Sequence, residues 1–309
     1  MLGRRREQTE VIAFCGFISP WFVGFVLFAA LPLLASLVMS MATFNLYDFT
    51  DFHWVGLAHY RFAFEDPVTR QALEDTAIFT AIFVPLGLAV QIALAVLLNS
   101  GPIRLRSVLG AVFYLPAVIP TVASILIIWR LAIAGPNGVF DRVYHLFAPH
   151  GAISWLDEQG RLVLILFMLW STAGLGMLVF LAGLQNVSRE LREAAALDGA
   201  TRSQILRTIT LPLLTPVIFL QLVLGLIAAA QIMIQPILFG STIGSAGSPF
   251  FYTPAQGADI FPARIFDVTF IGAAPGTGAA LSWLLFVIVL AVTLGLFATG
   301  RFWVFYGSE

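Results

Sequence analysis

Six stretches of this chain are each long and apolar enough to cross a lipid bilayer: 17–41, 77–98, 108–133, 162–184, 213–239 and 278–299. A hydrocarbon core about 30 Å thick requires roughly 20 apolar residues per helix. Segments carrying nearly all the charge lie between the stretches, at 42–76, 99–107, 134–161, 185–212 and 240–277. Composition agrees. Of 309 residues, 59% are apolar and 11% charged, with a mean hydropathy of +0.93, whereas soluble domains run about 45–50% apolar and about 25% charged. A soluble core of this size would leave too few polar groups to cover its surface. The reading is an all-α polytopic membrane protein with six transmembrane helices, in which 17–300 forms one domain flanked by 1–16 and 301–309.

Several chemistries are excluded at once. All 16 basic residues are arginine, so the chain has no P-loop lysine, Schiff-base lysine or lysine general base. A formal charge of −1 provides no cationic surplus for nucleic acid. Cys15 is the only cysteine, which rules out an internal disulfide and a thiolate metal cluster. Arg4, Arg5 and Arg6 resemble the basic end of a signal peptide, but the apolar stretch that follows is too long for a cleaved signal. The N-terminus is read as retained.

An even number of spans puts both termini on one side. The termini, 99–107 and 185–212 hold Arg4, Arg5, Arg6, Arg104, Arg106, Arg189, Arg192, Arg202, Arg207 and Arg301. The other three segments are together longer, yet hold only Arg61, Arg70, Arg142, Arg161 and Arg264, with Arg130 at the edge of a span. By the positive-inside rule the termini are cytoplasmic. Pro32, Pro85, Pro116, Pro120 and Pro236 lie in or near spans, where freed backbone groups need neighbouring helices or water. Such helices suit a protein that moves or lines a cavity, and equally a bundle kinked for packing.

The longest cytoplasmic connection, 185–212, carries the mechanism. Ser188 is a natural N-cap, and 189–197 is rich in helix formers. Gly199 suits the left-handed backbone that ends a helix. Thr201 with Gln204 spells a capping box for a second short helix, and Pro212 breaks the chain again. The outcome is an angled element whose alanine surface fits a groove, with Arg192, Glu193 and Asp198 for its edge. Physics alone leaves two readings open: a mechanical lever, or an amphipathic loop lying on the membrane.

Glu193-Ala194-Ala195, Asp198-Gly199-Ala200 and Ile209-Thr210-Leu211-Pro212 resemble the EAA loop of binding-protein-dependent ABC importer permeases, with every signature position filled. Trp54 to Arg61, Tyr114-Leu115-Pro116 and Ser154-Trp155-Leu156 are similar to the maltose and glycerol-phosphate uptake branch. The resemblance covers most of 17–300. It implies a type I importer in a prokaryotic cytoplasmic membrane: two permeases, here expected to be different chains, two copies of a cytoplasmic ATPase, and an external solute-binding protein. The substrate would be a sugar or a glycerol-phosphate-like molecule. ATP and Mg²⁺ would sit on the ATPase, so this chain needs no cofactor and has no catalytic residue. Arg192, Glu193, Ala194, Ala195, Asp198, Gly199, Ala200, Leu211 and Pro212 would form the ATPase-coupling segment. The chain has no GxxxxGK[ST] of its own, which agrees with borrowed hydrolysis.

Candidate pathway residues lie in two spans. Gln221, Gln231 and Gln235 would fall within about an 80° arc of one continuous helix at 100° per residue. They suit either hydrogen bonds to sugar hydroxyls or bonds between helices. Trp170, Ser171 and Thr172 match, by their distance before the coupling loop, the family region that lines the sugar site. Many relatives carry an acidic residue after the aromatic of the fifth span, where this chain reads Ile232-Met233-Ile234.

His53, His59, His145 and His150 lack metal-ligand spacing and read as solvated loop residues, and Glu65-Asp66 with Glu74-Asp75 as a hydrated outer face. Two other classes compete with the importer. An intramembrane enzyme would need facing carboxylates or histidines inside the spans, and an ion-coupled transporter a midplane ionisable relay. The six stretches contain only Arg130.

Overall fold

The computed structural model describes residues 2–44, 52–100, 103–120, 128–130, 133–134, 137–148, 153–240 and 257–305. In chain order the elements are α1 (Leu2–Phe25), α2 (Leu31–Met39), β1 (Ala42–Thr43), β2 (His53–Trp54), α3 (Ala58–Glu65), α4 (Pro67–Ser100), α5 (Ile103–Val118) and α6 (Val139–Phe147). They continue as α7 (Trp155–Glu158), α8 (Gly160–Gln185), α9 (Arg189–Leu197), α10 (Arg202–Ile205), α11 (Leu211–Leu213), α12 (Thr215–Ala229), α13 (Ile234–Phe239), α14 (Phe261–Phe266) and α15 (Pro275–Trp303). Single π turns at Val26–Ala30 and Leu206–Thr210 join α1 to α2 and α10 to α11.

Among the described residues, four helical stretches are long and apolar enough to span: Phe14–Met39, Pro67–Asn99, Gly160–Gln185 and Pro275–Trp303. A fifth is broken, with Arg202–Leu213 and Thr215–Ala229 meeting at 65°. The third predicted stretch is helical through Val118, and its residues 121–127 and 131–132 lie outside the described residues, as does His150.

The fifth stretch corrects the sequence reading. Instead of one helix over 213–239, α12 stops at Ala229 and α13 starts at Ile234. Pro236 explains the break. It has no N–H to give the carbonyl of Ile232, and its ring would strike that carbonyl in a continuous helix. In the first turn of α13 the same proline costs nothing, because that N–H would have no helical partner. These two π turns each stand before a Leu-Pro pair, Leu31-Pro32 and Leu211-Pro212, whereas a third, Asp267–Ile271, ends at Gly272. Leu31 N–H reaches back five residues to Val26, and Leu211 to Leu206. The wider register moves the backbone away from the proline ring without ending the helix.

The contacts divide the chain into two units. Residues 1–65 and 265–284 form one. Here β1 pairs antiparallel with β2, Ala42 opposite Trp54. His59 lies half-buried, its Nδ1 2.9 Å from the Thr277 hydroxyl and its Nε2 3.3 Å from the Ala42 carbonyl. It is therefore a structural histidine, which corrects the solvated reading. Ser40 Oγ lies 2.8 Å from the Tyr60 hydroxyl, and Trp283 Nε1 donates to Ser36 Oγ at 3.1 Å.

Residues 66–264 and 285–309 form the other unit. Its main layer sets α8 between α4, α5 and α12, and glycines govern how closely they approach. A Cβ at Gly174 would strike the backbone of Phe113 on α5, and one at Gly183 would lie 2.9 Å from Leu214 Cδ2. Phe79, Phe167, Phe239 and Leu164 are fully buried in the core around α8. Three segments of this unit are tied at one end by polar contacts. Arg161 pairs with Asp75 and donates from Nε to the Gly257 carbonyl at 3.1 Å. Arg264 pairs with Asp66 at 3.2 Å, and the Phe261 N–H donates to Thr76 Oγ1 at 2.7 Å. Asp66 and Asp75 are thus partners of distant arginines, which corrects their assignment to a hydrated face.

Candidate functional site

Two places in the second unit carry the predicted residues. The first is the bent element from α9 to α12. Ser188 occupies the N-cap position of α9, but its side chain makes no cap hydrogen bond. At the other end the prediction is met in detail. Gly199 has φ +82°, its N–H bonds the Ala196 carbonyl, and the Ala200 N–H bonds the Ala195 carbonyl. That is the Schellman pattern with glycine in the left-handed position. A Cβ at Gly199 would meet nothing within 4 Å, so backbone conformation alone selects glycine here. Thr201 and Gln204 form the full capping box of α10.

The surface of α9 is open. Leu197 is 89% and Leu191 51% exposed, and Ala194, Ala196, Asp198 and Gly199 are exposed while Arg192, Ala195 and Ala200 are half-buried. Glu193 bridges to Arg189 at 2.6 Å, both side chains facing solvent. The Arg192 Nε is buried without a partner. Leu211 and Pro212 lie on α11, immediately before the 65° bend. Thr215, just past it, donates to the Pro212 carbonyl and accepts from the Phe305 N–H.

The second place is a cleft of about 310 Å³ between α4, α8 and α12. Its polar side chains are Gln91 from α4, Thr172 from α8 and Gln221 from α12, set among Gly87, Gly176 and Gly225. No ionisable side chain lines it. Thr172 lies midway along α8, about 18 Å from Gly160 at 1.5 Å per residue. Its hydroxyl donates to the Met168 carbonyl at 2.7 Å, leaving lone pairs for another donor.

The predicted pathway residues do not stay together. Thr172 and Gln221 line the cleft. Trp170 is two positions from Thr172, about 200° around the helix, and packs against Trp129 at 5.9 Å and Phe167 at 6.2 Å. Ser171 bonds back to the Met168 carbonyl. Gln231 is exposed in the break after α12, and Gln235 is half-buried on α13. The arc joining the three glutamines requires a continuous helix, and Pro236 removes that premise. Sequence reasoning misses Gln91. Its signal is available, as the sole carboxamide in the stretch 77–98.

Known proteins resemble this chain along most of its length. A profile of the family described as binding-protein-dependent transport system inner membrane component matches residues 84–302. The chain is 34% identical over 312 residues to the probable ABC transporter permease protein YesP of Bacillus subtilis, covering 100% of this chain and 97% of that protein. It is 28% identical to the lactose transport system permease protein LacF of Rhizobium radiobacter, over 82% of each. A bacterial ABC transporter involved in import of the acidic polysaccharide alginate shares the fold, with a TM-score of 0.77 at 21% identity over 97% of this chain and 99% of that one. Residues 84–302 take in α8, α12, the second half of α4 and the whole bent element, and the chain belongs to the family of binding-protein-dependent transport system inner membrane components.

Proposed function

We propose that this chain is the transmembrane permease subunit of an ATP-driven saccharide importer, supplying half of the translocation pathway. The observation that carries the reading is the pairing of an uncharged cleft, set midway along α8, with an exposed bent element on one chain of this family. The cleft offers carboxamides and a hydroxyl, which match sugar hydroxyls as both donors and acceptors. The relative named for lactose transport supports the same class. Six spans put both termini in the cytoplasm, as the arginine asymmetry requires. Residues 192–200 then dock on a cytoplasmic ATPase that binds ATP and Mg²⁺, with Glu193 and Asp198 at the groove's edge and Gly199 at the bend. Leu211 and Pro212 carry that motion into α12. A second, different permease, two ATPase copies and an extracytoplasmic binding protein complete the assembly in a prokaryotic inner membrane.

The test is uptake into vesicles containing the whole assembled transporter, with lactose, maltotriose and glycerol 3-phosphate as probes. The cleft, lacking any counter-charge, predicts transport of a neutral saccharide in preference to the phosphate ester. Preferred transport of glycerol 3-phosphate would overturn the saccharide assignment.

A further inference from the structure

We propose that Gln91 is a further specificity-determining residue: its carboxamide, seated against the bare backbone of Gly176, reads hydroxyl groups of an uncharged saccharide across the cleft from Gln221. This rests on the cleft being the saccharide pathway. The geometry is specific. A Cβ at Gly176 would overlap the carboxamide carbon and both polar atoms of Gln91, so the glycine creates the space in which that amide lies. Gly176 is one turn beyond Thr172 on the same face of α8. The amide and the hydroxyl therefore share one wall of the cleft, and Gln221 approaches from α12.

The chemistry follows from what lines the cleft. A charged ligand would lose its hydration with no opposite charge to meet it, a large penalty in an apolar surrounding. A polyol instead exchanges water hydrogen bonds for bonds to carboxamides, each of which donates and accepts. Gln91 is half-buried on α4, whereas Thr172 and Gln221 stand on α8 and α12. Three helices thus each contribute one neutral hydrogen-bonding group. Displacing any one changes which hydroxyl pattern fits, without removing the cleft.

The experiment measures lactose and maltotriose uptake in vesicles holding the complete transporter. Gln91→Leu keeps most of the volume and removes both hydrogen-bonding atoms. Gly176→Ala keeps the amide and displaces it, and Gln91→Asn keeps the chemistry but shortens the reach. The proposal predicts that Gln91→Leu and Gly176→Ala shift the ratio of lactose to maltotriose uptake by about fivefold or more, with Gln91→Asn between them and wild type. The amount of complex recovered on purification reports assembly for each variant. A separate arm uses Ala228→Cys, at an exposed cleft residue, in a Cys15→Ala chain, and attaches a bulky maleimide after assembly. If the adduct blocks both sugars while the Gln91 variants leave the ratio unchanged, Gln91 is not a reader and this proposal falls alone. If the introduced thiol never reacts, or its adduct leaves uptake running, the cleft is not the pathway. Wild type that carries neither sugar overturns the uncharged-saccharide class. If the Gln91 and Gly176 variants lower the amount of assembled complex and the complex that does assemble keeps the wild-type ratio, Gln91 serves helix packing and the proposal is overturned.

Discussion

Gly199 holds the bend between α9 and α10 through its backbone and nothing else, since no atom crowds it. A β-branched residue at φ +82° is strained by about 1–2 kcal/mol, which favours straightening or fraying the end of α9. Gly199→Val is expected to keep ATPase binding and lose communication: ATP hydrolysis in reconstituted vesicles no longer rises with the substrate-loaded binding protein. Full stimulation in that variant would show that the bend transmits nothing. Asp66 poses a different residue-scale question. Burial alone would raise its carboxyl, but the Thr69 hydroxyl and amide and then Arg264 outweigh it and hold the group below its ordinary value. A lowered folded pKa gives stability that is complete above the unfolded pKa, about 3.9, and is lost as pH falls through the folded value. Wild type should therefore lose more melting temperature than Asp66→Asn as pH falls from 7 to 3. Parallel melting curves would contradict the pair's contribution.

The elements divide sharply by how far apart their causes lie. The Thr201 and Gln204 capping box and the Gly199 cap are written within a few residues, so the bent element is legible from the sequence. The break after Ala229 also has a local cause, Pro236, yet a period-based reading carries the helix through it because most of the flanking residues are apolar. The joining of Arg161 to Asp75 and Gly257, across separations of 86 and 96 residues, has no local signal at all. Nor does the meeting of Gln91 with Gly176, which depends on how α4 packs on α8. On α9 the exposed Leu197 and Leu191 present apolar area that a docking partner should cover. Leu197→Cys, in a Cys15→Ala chain, is expected to react quickly with a large maleimide when this chain is alone and slowly in the assembled transporter. Equal rates in both would place the ATPase contact elsewhere.

At the scale of the whole molecule, the chain is proposed to draw its energy from a partner's ATP hydrolysis rather than from an ion gradient. Arg130 is the single charge in the predicted spans, and its Nη1 donates to the Leu238 carbonyl at 3.0 Å, a structural use rather than a proton path. The measurement that bears on this most directly is saccharide uptake into vesicles of the intact transporter, with ATP enclosed on the ATPase side and a protonophore added. Uptake that requires ATP and the loaded binding protein and persists with the protonophore is the predicted result. Uptake that runs without ATP and collapses when the ion gradient is dissipated would contradict it.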